Sequence, residues 1–561
     1  MKRRLLPVLI AAVLSLPVLA QETEIAEQPS PALPAQELTP RVLYEFLLAE
    51  LAGSRGQLGL AMETYMDLAR TTHDPRIARR AAEIALFGKR YDLALEATRL
   101  WSEADPASPQ PRQMLTSLLA ATGHTSELDA VLTKELAGAG NDLGVSLLQI
   151  NRVVARHPDK KEAQGLVDKL TQPYVGVAEA HFARAQAAHS AGDSARSVAE
   201  LDQALILRPD WEQAALARVQ MTKDPEAAAS FLGGFVAANP AATDARLAYA
   251  RSLVAVKKFP EARQQFQALM ADHPENGDVV YAVAVLSLQL RDTAEAEKQL
   301  KRLIEMNHRE SDTARVYLGQ IEEERHQPDE ALKWYGSVGA GSQYLSARQR
   351  MAHVLVRQQK LDEARRTLRE STAGTVADRA QLLIIESQML RDAGRNEDAY
   401  VVLADGLAAH PDQPELLYEV AIMAEKTGRL DVVEPRLRRL IELRPDSAHA
   451  YNALGYSLAD RNERLDEAQR LIDKALQLAP EDPFILDSKG WVLFRRGDTS
   501  GALDVLKKAF TLRADPEIAA HLGEVLWALG RKDEARQTWD EAIKASPGNE
   551  VLVGTVRKFD P

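Results

Sequence analysis

Apolar residues recur through this chain at three-and-four spacing, interrupted by short polar or Pro/Gly breaks. The stretch "SAHAYNALGYSLADRNERLDEAQRLIDKALQLAPED" shows the unit. A first segment carries Tyr451, Leu454, Gly455 and Leu458 on one helical face, and a second carries Ala468, Ile472 and Ala475. That spacing predicts two amphipathic helices. Gly455 and Ala468 are small because two closely crossing helices leave no room for larger side chains, and Pro480 stops the second helix. One such hairpin cannot bury its own apolar face, so its neighbours must stack on it.

The unit returns in register. Alanine falls about every 34 residues at Ala262, Ala296, Ala331, Ala364, Ala399, Ala468, Ala502 and Ala535, with Val433 taking the beat between Ala399 and Ala468. Proline keeps the same time at Pro411, Pro445, Pro480 and Pro547. A period in this range denotes a stacked helical-repeat array.

The strongest repeats are "DPFILDSKGWVLFRRGDTSGALDVLKKAF", with Leu486, Gly490, Leu493, Gly497, Ala502, Leu506 and Ala509, and "HLGEVLWALGRKDEARQTWDEAIKASP", with Leu522, Gly523, Leu526, Gly530, Ala535, Trp539, Ala542 and Pro547. These residues resemble the tetratricopeptide repeat (TPR), with Lys489 departing where an apolar residue is expected. Upstream, "LYEFLLAELAGSRGQLGLAMETYMDL" offers Leu48, Ala49, Gly56, Ala61 and Tyr65, and "AAEIALFGKRYDLALEATRLWSEADP" offers Ala82, Tyr91, Ala94 and Pro106. The resemblance implies an all-α fold, a TPR-type right-handed α-solenoid (superhelix) of roughly fifteen helical hairpins. It is weakest across 137–175 and around Lys223-Asp224-Pro225.

Composition agrees. The chain is 45% hydrophobic but only 5% aromatic, and it lacks the alternating Val/Ile/Thr pattern that strands require. A length of 561 residues would ordinarily suggest several globular domains, but a solenoid grows by nearest-neighbour contacts. The expected organisation is a signal peptide at 1–20, a Pro-rich linker at 21–40, TPR-like repeats at 41–136, degenerate helical repeats at 137–230, TPR repeats at 231–548 and a capping helix at 549–561. In the last of these, Val551, Leu552, Val556 and Phe559 fall on one side.

The first residues carry a different signal. Lys2, Arg3 and Arg4 precede an apolar run from Leu5 to Leu16, and Val18-Leu19-Ala20 offers a cleavage site. This is the pattern of a secretory signal peptide cut after Ala20, too short and too interrupted by Pro7 and Pro17 for a membrane span. Cleavage would take the formal charge of -12 to about -15 by removing those three cations. The following "QETEIAEQPSPALPAQELTP" reads as an extended tether. Gln21 stands where a bacterial lipoprotein needs cysteine, and the chain has no cysteine, which excludes a cysteine-linked lipid anchor, disulfides and thiolate metal sites. A periplasmic location is expected, with peripheral envelope association left open.

Catalytic patterns are missing: there is no G-x-x-x-x-G-K-[ST] loop, H-E-x-x-H pair or calcium loop. Gly339-Ala340-Gly341 reads as a turn, and His181 and His189, eight apart on one helical face, as solvated surface residues. Neither enzymatic activity nor a cofactor or metal is expected. A net negative chain is poorly suited to nucleic acid. Its basic knots, Arg76, Arg79 and Arg80, and Arg436, Arg438, Arg439 and Arg444, are expected to pair with nearby acids on helix surfaces.

In the TPR pattern, first-helix positions off the packing face line the concave surface. Carried onto the clear repeats, they are Tyr418 and Ile422, Asn452 and Tyr456, Asp487, Trp491 and Phe494, and Glu524 and Trp527. Aromatics facing one groove would supply binding energy, and Asn452 could bond an extended peptide backbone. For Trp491 and Phe494 the competing expectation is packing on the following repeat; Tyr451, Trp539 and Trp101 are assigned to packing between helices.

The segments "LYEFLLAELAGSRGQLGLAMETYMDLARTTHDPRIARRAAEIAL" and "DSKGWVLFRRG" further resemble a proteobacterial group of exported TPR proteins. Its best-known kind is an outer-membrane lipoprotein adaptor that activates a carboxyl-terminal processing protease and delivers cell-wall hydrolases to it. The resemblance implies a non-catalytic protein-protein interaction scaffold of the cell envelope that binds such a protease and its substrates through the concave surface. The alternative is a structural component of a pilus, secretion or polysaccharide-export system.

Overall fold

The structure, a computed structural model, describes residues 37–372 and 374–559. The expected signal peptide and most of the expected linker lie outside them. Among the described residues there are thirty-one α-helices, numbered α1–α31 along the chain, two short 3-10 turns, and no strand. The helices pair as six hairpins from α1 (Pro40–Ser54) with α2 (Leu58–Thr72) to α11 (Glu212–Met221) with α12 (Pro225–Ala238), and as eight from α15 (Gly277–Gln289) with α16 (Thr293–Glu305) to α29 (Pro516–Ala528) with α30 (Lys532–Ala545). The last helix, α31 (Glu550–Phe559), lies against α29 and α30. The fold is an all-α, TPR-type solenoid. No described helix is long and apolar enough to cross a membrane.

The described residues up to Val256 form one compact unit and those from Lys257 onward a second. In the first, α13 (Thr243–Ala255) is the last helix; the second opens with α14 (Phe259–Asp272). Within each unit, every hairpin packs on the next, as a one-dimensional stack requires. The two 3-10 turns, Gly140–Asp142 and Gln172–Tyr174, both fall in the segment where the repeat pattern is weak.

Local chemistry starts and stops the helices. Four of them begin Asp-Pro: the carboxylates of Asp74, Asp224, Asp482 and Asp515 accept backbone N–H groups of the first turn, and the proline that follows has no N–H to leave unpaired. Inside the second unit, every turn from the first to the second helix of a hairpin passes through the left-handed region. Glycine fills it at Gly394, Gly428, Gly497 and Gly530, but Arg291, His326, Gln359 and Asn462 fill it elsewhere.

The alanine beat marks the crossing points. Ala262, Ala296, Ala331, Ala364, Ala399, Ala468, Ala502 and Ala535 are all at 0% exposure, and Val433 is at 1%. Gly455 is required at its crossing: a Cβ there would lie 2.6 Å from Ile472 and 3.0 Å from the Ala468 carbonyl oxygen. At Gly523 a Cβ would sit 2.0 Å from Nε1 of the buried Trp539. Lys489, the departure from the repeat pattern, is half-buried and reaches the Asp473 carboxylate on the adjacent second helix. A Tyr–Glu–Arg network recurs in both units, as Tyr65 with Glu50 and Arg80 and as Tyr335 with Glu323 and Arg350.

Of the arginines in the basic knots, Arg76 pairs with Asp74, Arg79 with Glu83, Arg80 with Glu50 and Glu83, Arg438 with Glu434 and Glu467, and Arg439 with Asp412 and Glu442. His189 is exposed, but His181 is not a solvated residue. Its Nδ1 lies 2.6 Å from Glu200 and its Nε2 2.9 Å from the Val175 carbonyl oxygen, because the turn at 172–177 folds back over it.

Candidate partner-binding face

Four successive first helices of the second unit touch in sequence: α23 (Pro414–Lys426), α25 (Ala448–Asp460), α27 (Pro483–Arg495) and α29. Their packing faces are filled by small and aliphatic residues such as Ala421, Leu454, Gly490 and Leu522. The positions off those faces include the nine residues expected to line the concave surface, and these fall into three groups.

Tyr418 and Ile422 on α23 are half-buried. Tyr418 lines an open cleft of about 620 Å³ with Ile384, Glu415, Glu419, Arg444 and His449. Burial pushes the Tyr418 phenol up, and burial likewise raises Glu419.

The central group joins α25, α27 and α29. Asp487 is 7% exposed and accepts from Nδ1 of His521, which lies 2.9 and 3.0 Å from its two carboxylate oxygens. The His521 ring stacks on Trp491 with centroids 4.3 Å apart and 25° between planes. Trp491 is itself only 5% exposed, and its indole N–H donates to Asp460 Oδ1 at 3.2 Å. Phe494 packs 5.5 Å from Trp491 and stays half-buried. The Tyr456 hydroxyl comes within 3.5 Å of His521 Nε2, a contact between residues 65 apart in sequence. Asn452, one turn before Tyr456, keeps its side-chain oxygen buried without a hydrogen-bond partner.

The electrostatics of this group follow from burial and crowding. Burial alone would lower the His521 pKa, but the charge and hydrogen bond of Asp487 more than offset it, so the imidazolium is favoured. The Tyr456 phenol is pushed far up, first by burial and then by Asp460, Asp487, Glu425 and Glu517. Those four carboxylates come from α25, α27, α23 and α29 in turn, so one hydroxyl senses an acid from each of four helices. Glu425 is raised by burial with Asp460 adding to it, and Glu517 by burial and then by Asp515.

The third group is tied to the C-terminal helices. Trp527 stacks on Trp539 at 5.8 Å and packs 6.1 Å from Phe559, with Lys532 Nζ 4.9 Å from its ring. Glu524 accepts from Lys558 on α31 at 3.4 Å. The structure therefore brings Tyr456, Asp487, Trp491 and Phe494 together. It sets Tyr418 and Ile422 at one side, and holds Glu524 and Trp527 against α30 and α31.

Sequence reasoning missed His521, Asp460, Glu425 and Glu517. Counted back from Gly455, Gly490 and Gly523, the residue in step with Asn452 and Asp487 is Ala520, so His521 sits one residue past the periodic position. A signal existed in the sequence: a histidine beside an inner-face alanine, one repeat after an aspartate.

Among the described residues no group of acids and histidines is arranged to hold a metal ion. A stack of two-helix repeats with a polar, aromatic inner face belongs to the class of interaction scaffolds, which hold partners along one face of a repeating backbone. The tetratricopeptide repeat model matches residues 253–318, and a second model of the same description matches 434–483 and 488–550. TPR repeat-containing protein PA4667 of Pseudomonas aeruginosa is 33% identical over 487 residues, covering 86% of this chain and 82% of that protein. The chain belongs to the tetratricopeptide repeat family.

Cellulose synthase operon protein C of Pseudomonas fluorescens is 25% identical over 515 residues, spanning 82% of this chain but 38% of that protein. The human protein O-mannosyl-transferase TMTC1 is 25% identical over 193 residues, 33% of this chain and 21% of the transferase. Among solved structures, a thermophilic TPR protein of Thermus thermophilus, TTC0263, is 24% identical, with a TM-score of 0.30 over 32% of this chain and 97% of that one.

Proposed function

We propose that this chain is a non-catalytic adaptor of the bacterial cell envelope, and that the inner face of α23–α29 holds a segment of a partner protein. The observation that carries this reading is the joined Tyr456, Asp487, Trp491 and His521 group, whose side chains interlock across three successive repeats. Pre-ordered aromatic and polar side chains bind with little loss of conformational freedom. The resemblance to exported adaptors makes a carboxyl-terminal processing protease and its substrates the proposed partners, met in the periplasm after export.

A second surface supports a two-handed role. Helix α1 is apolar on both sides: Ala49 and Ala52 are buried against α2, while Leu43, Tyr44, Leu47 and Leu51 on its other face stand 45%, 67%, 50% and 54% exposed. Leucines at i, i+4 and i+8 form the ridge that another helix packs against, so the occupant proposed there is an apolar helix of the protease.

The test mixes the purified chain with the processing protease and follows cleavage of a cell-wall hydrolase. A raised rate that falls with Tyr456→Ala supports the adaptor; an unchanged rate refutes it. The similarity to cellulose synthase operon protein C favours one further reading, a part of a polysaccharide-export assembly. Recovery of the chain in a stable complex with membrane-embedded export proteins, without the protease, would select it.

A further inference from the structure

The joint that carries α31 is built like the joint before it and filled differently. As α29 lies against α27 and α28, so α31 lies against α29 and α30, the place that the first helix of a further repeat would take. Leu552, Val556 and Phe559, at i, i+4 and i+7, enter the apolar cluster of the last hairpins, with Leu552 at 0% exposure. Phe559 meets a shelf of two indoles, its ring centroid 6.1 Å from that of Trp527 and 6.0 Å from that of Trp539. Lys558, beside it, reaches Glu524 at 3.4 Å while its own side chain stays 66% exposed.

Docking holds this helix together, since its own sequence does so poorly. It has 10 residues, fewer than the about 12–15 at which an isolated helix becomes even marginally stable. Gly554 stands at its middle, and Val551, Val553, Thr555 and Val556 are β-branched, all weak helix formers. Leu552 alone among its residues is buried. A segment of this kind opens without the rest of the chain, and opening uncovers the shelf of Trp527 and Trp539, an apolar surface of the sort that receives a partner. We propose that α31 is a displaceable cover, and that the groove beneath it takes, in trans, an amphipathic helix of a partner protein. That helix is apolar at i and i+4 and aromatic at i+7, with a lysine or arginine next to the aromatic for Glu524. The sequence of α31 states this chemistry, because α31 is the occupant the groove already accepts; recognition is helix-in-groove, through anchors at i, i+4 and i+7. The proposal stands whether or not the face at Tyr456 receives a protease.

While α31 is docked it competes with the incoming helix, so the observed affinity is the intrinsic one reduced by the fraction of chains whose groove is open. Weakening the hold of α31 therefore strengthens binding in trans. Leu552→Asp and Phe559→Ala act on the cover and leave the walls of the groove, Trp527, Trp539 and Glu524, as they are.

The experiment adds a fluorescein-labelled peptide of residues 546–559 to the full chain and follows anisotropy. The Leu552→Asp chain is expected to bind it at least about tenfold more tightly than the wild type does. A peptide carrying Phe559→Ala should lose most of that gain, and one carrying Lys558→Glu should bind less tightly than the native sequence. Should the Leu552→Asp chain melt early by far-UV circular dichroism, the Phe559→Ala chain takes its place. Hydrogen exchange of the wild type reads the opening directly, with amides of α31 expected to exchange at least about tenfold faster than those of α29. The proposal is overturned if the opened variant binds the native peptide no better than the wild type, if it binds a scrambled peptide equally well, or if α31 is as protected as α29. Concentration-dependent dimers of the wild type, read by light scattering, would give the groove to α31 of a second copy and overturn its assignment to a partner protein.

Discussion

Replacing Asp487 by alanine removes the carboxylate that His521 Nδ1 bonds. Both residues are buried, at 7% and 9% exposure, so the imidazolium left behind has little access to water. Breaking a buried pair from one side costs about 3–5 kcal/mol. Histidine can shed its proton at about 1.4 kcal/mol per pKa unit, so the expected loss is near the lower end, about 3 kcal/mol. Replacing both partners, as Asp487→Leu with His521→Phe, keeps the stack on Trp491 and leaves no charge behind. That double variant should fall within about 1 kcal/mol of the wild type, and the cycle should show strong coupling.

Urea unfolding followed by tryptophan fluorescence measures the cycle, with Trp491 stacked directly on the ring being removed. The pH dependence has a definite sign. The folded pKa of His521 is raised, so the folded state binds the extra proton. Its contribution is complete below the ordinary histidine pKa of about 6.5 and is lost as pH rises through the folded value. Glu425 and Glu517 are also raised and change stability in the same direction. Only the difference between wild type and His521→Phe isolates the histidine. Single variants that each cost under about 1 kcal/mol and sum to the double, or a difference flat across this window, would refute the buried-pair account.

Gly523→Ala should destabilise the last hairpins by about 2–3 kcal/mol, because its Cβ would sit 2.0 Å from Trp539 Nε1; thermal unfolding checks it, and a loss below about 0.5 kcal/mol contradicts the close crossing. Gln359→Gly should stabilise by up to about 1 kcal/mol, since φ at this turn is 62° and glycine carries no penalty there; differential scanning calorimetry reads the gain. Leu47→Asp, on the exposed ridge of α1, should leave the melting temperature nearly unchanged while weakening protease capture, as a pull-down with purified protease would show.

The periodic residues were legible in the sequence because their cause is local and repeated: each marked crossing imposes the same steric limit, so Ala262 through Ala535 announce it in one dimension. Lys489 could be seen to break the rule but not why, since its partner Asp473 stands on the preceding second helix, sixteen residues back. The nine inner-face residues were chosen by register, and register alone cannot separate a side chain open to a partner from one taken by a neighbour. Trp527 is taken by Trp539 and Phe559, and Trp491 by His521 and Asp460. His521 escaped because burial and pairing favour a residue one step off the period. The left-handed turns at Arg291, His326 and Gln359 escaped because the stack imposes them on residues that would not choose that conformation alone.

The contact from Tyr456 to His521 skips a repeat. In a stack whose members meet only their immediate neighbours, every joint is an independent spring, and the rod can flex anywhere along its length. Here α25, α27 and α29 are stitched across two joints at once, so those joints cannot bend separately. A chain pulled by its ends would yield first in the plain repeats on either side, leaving this span as its stiff section.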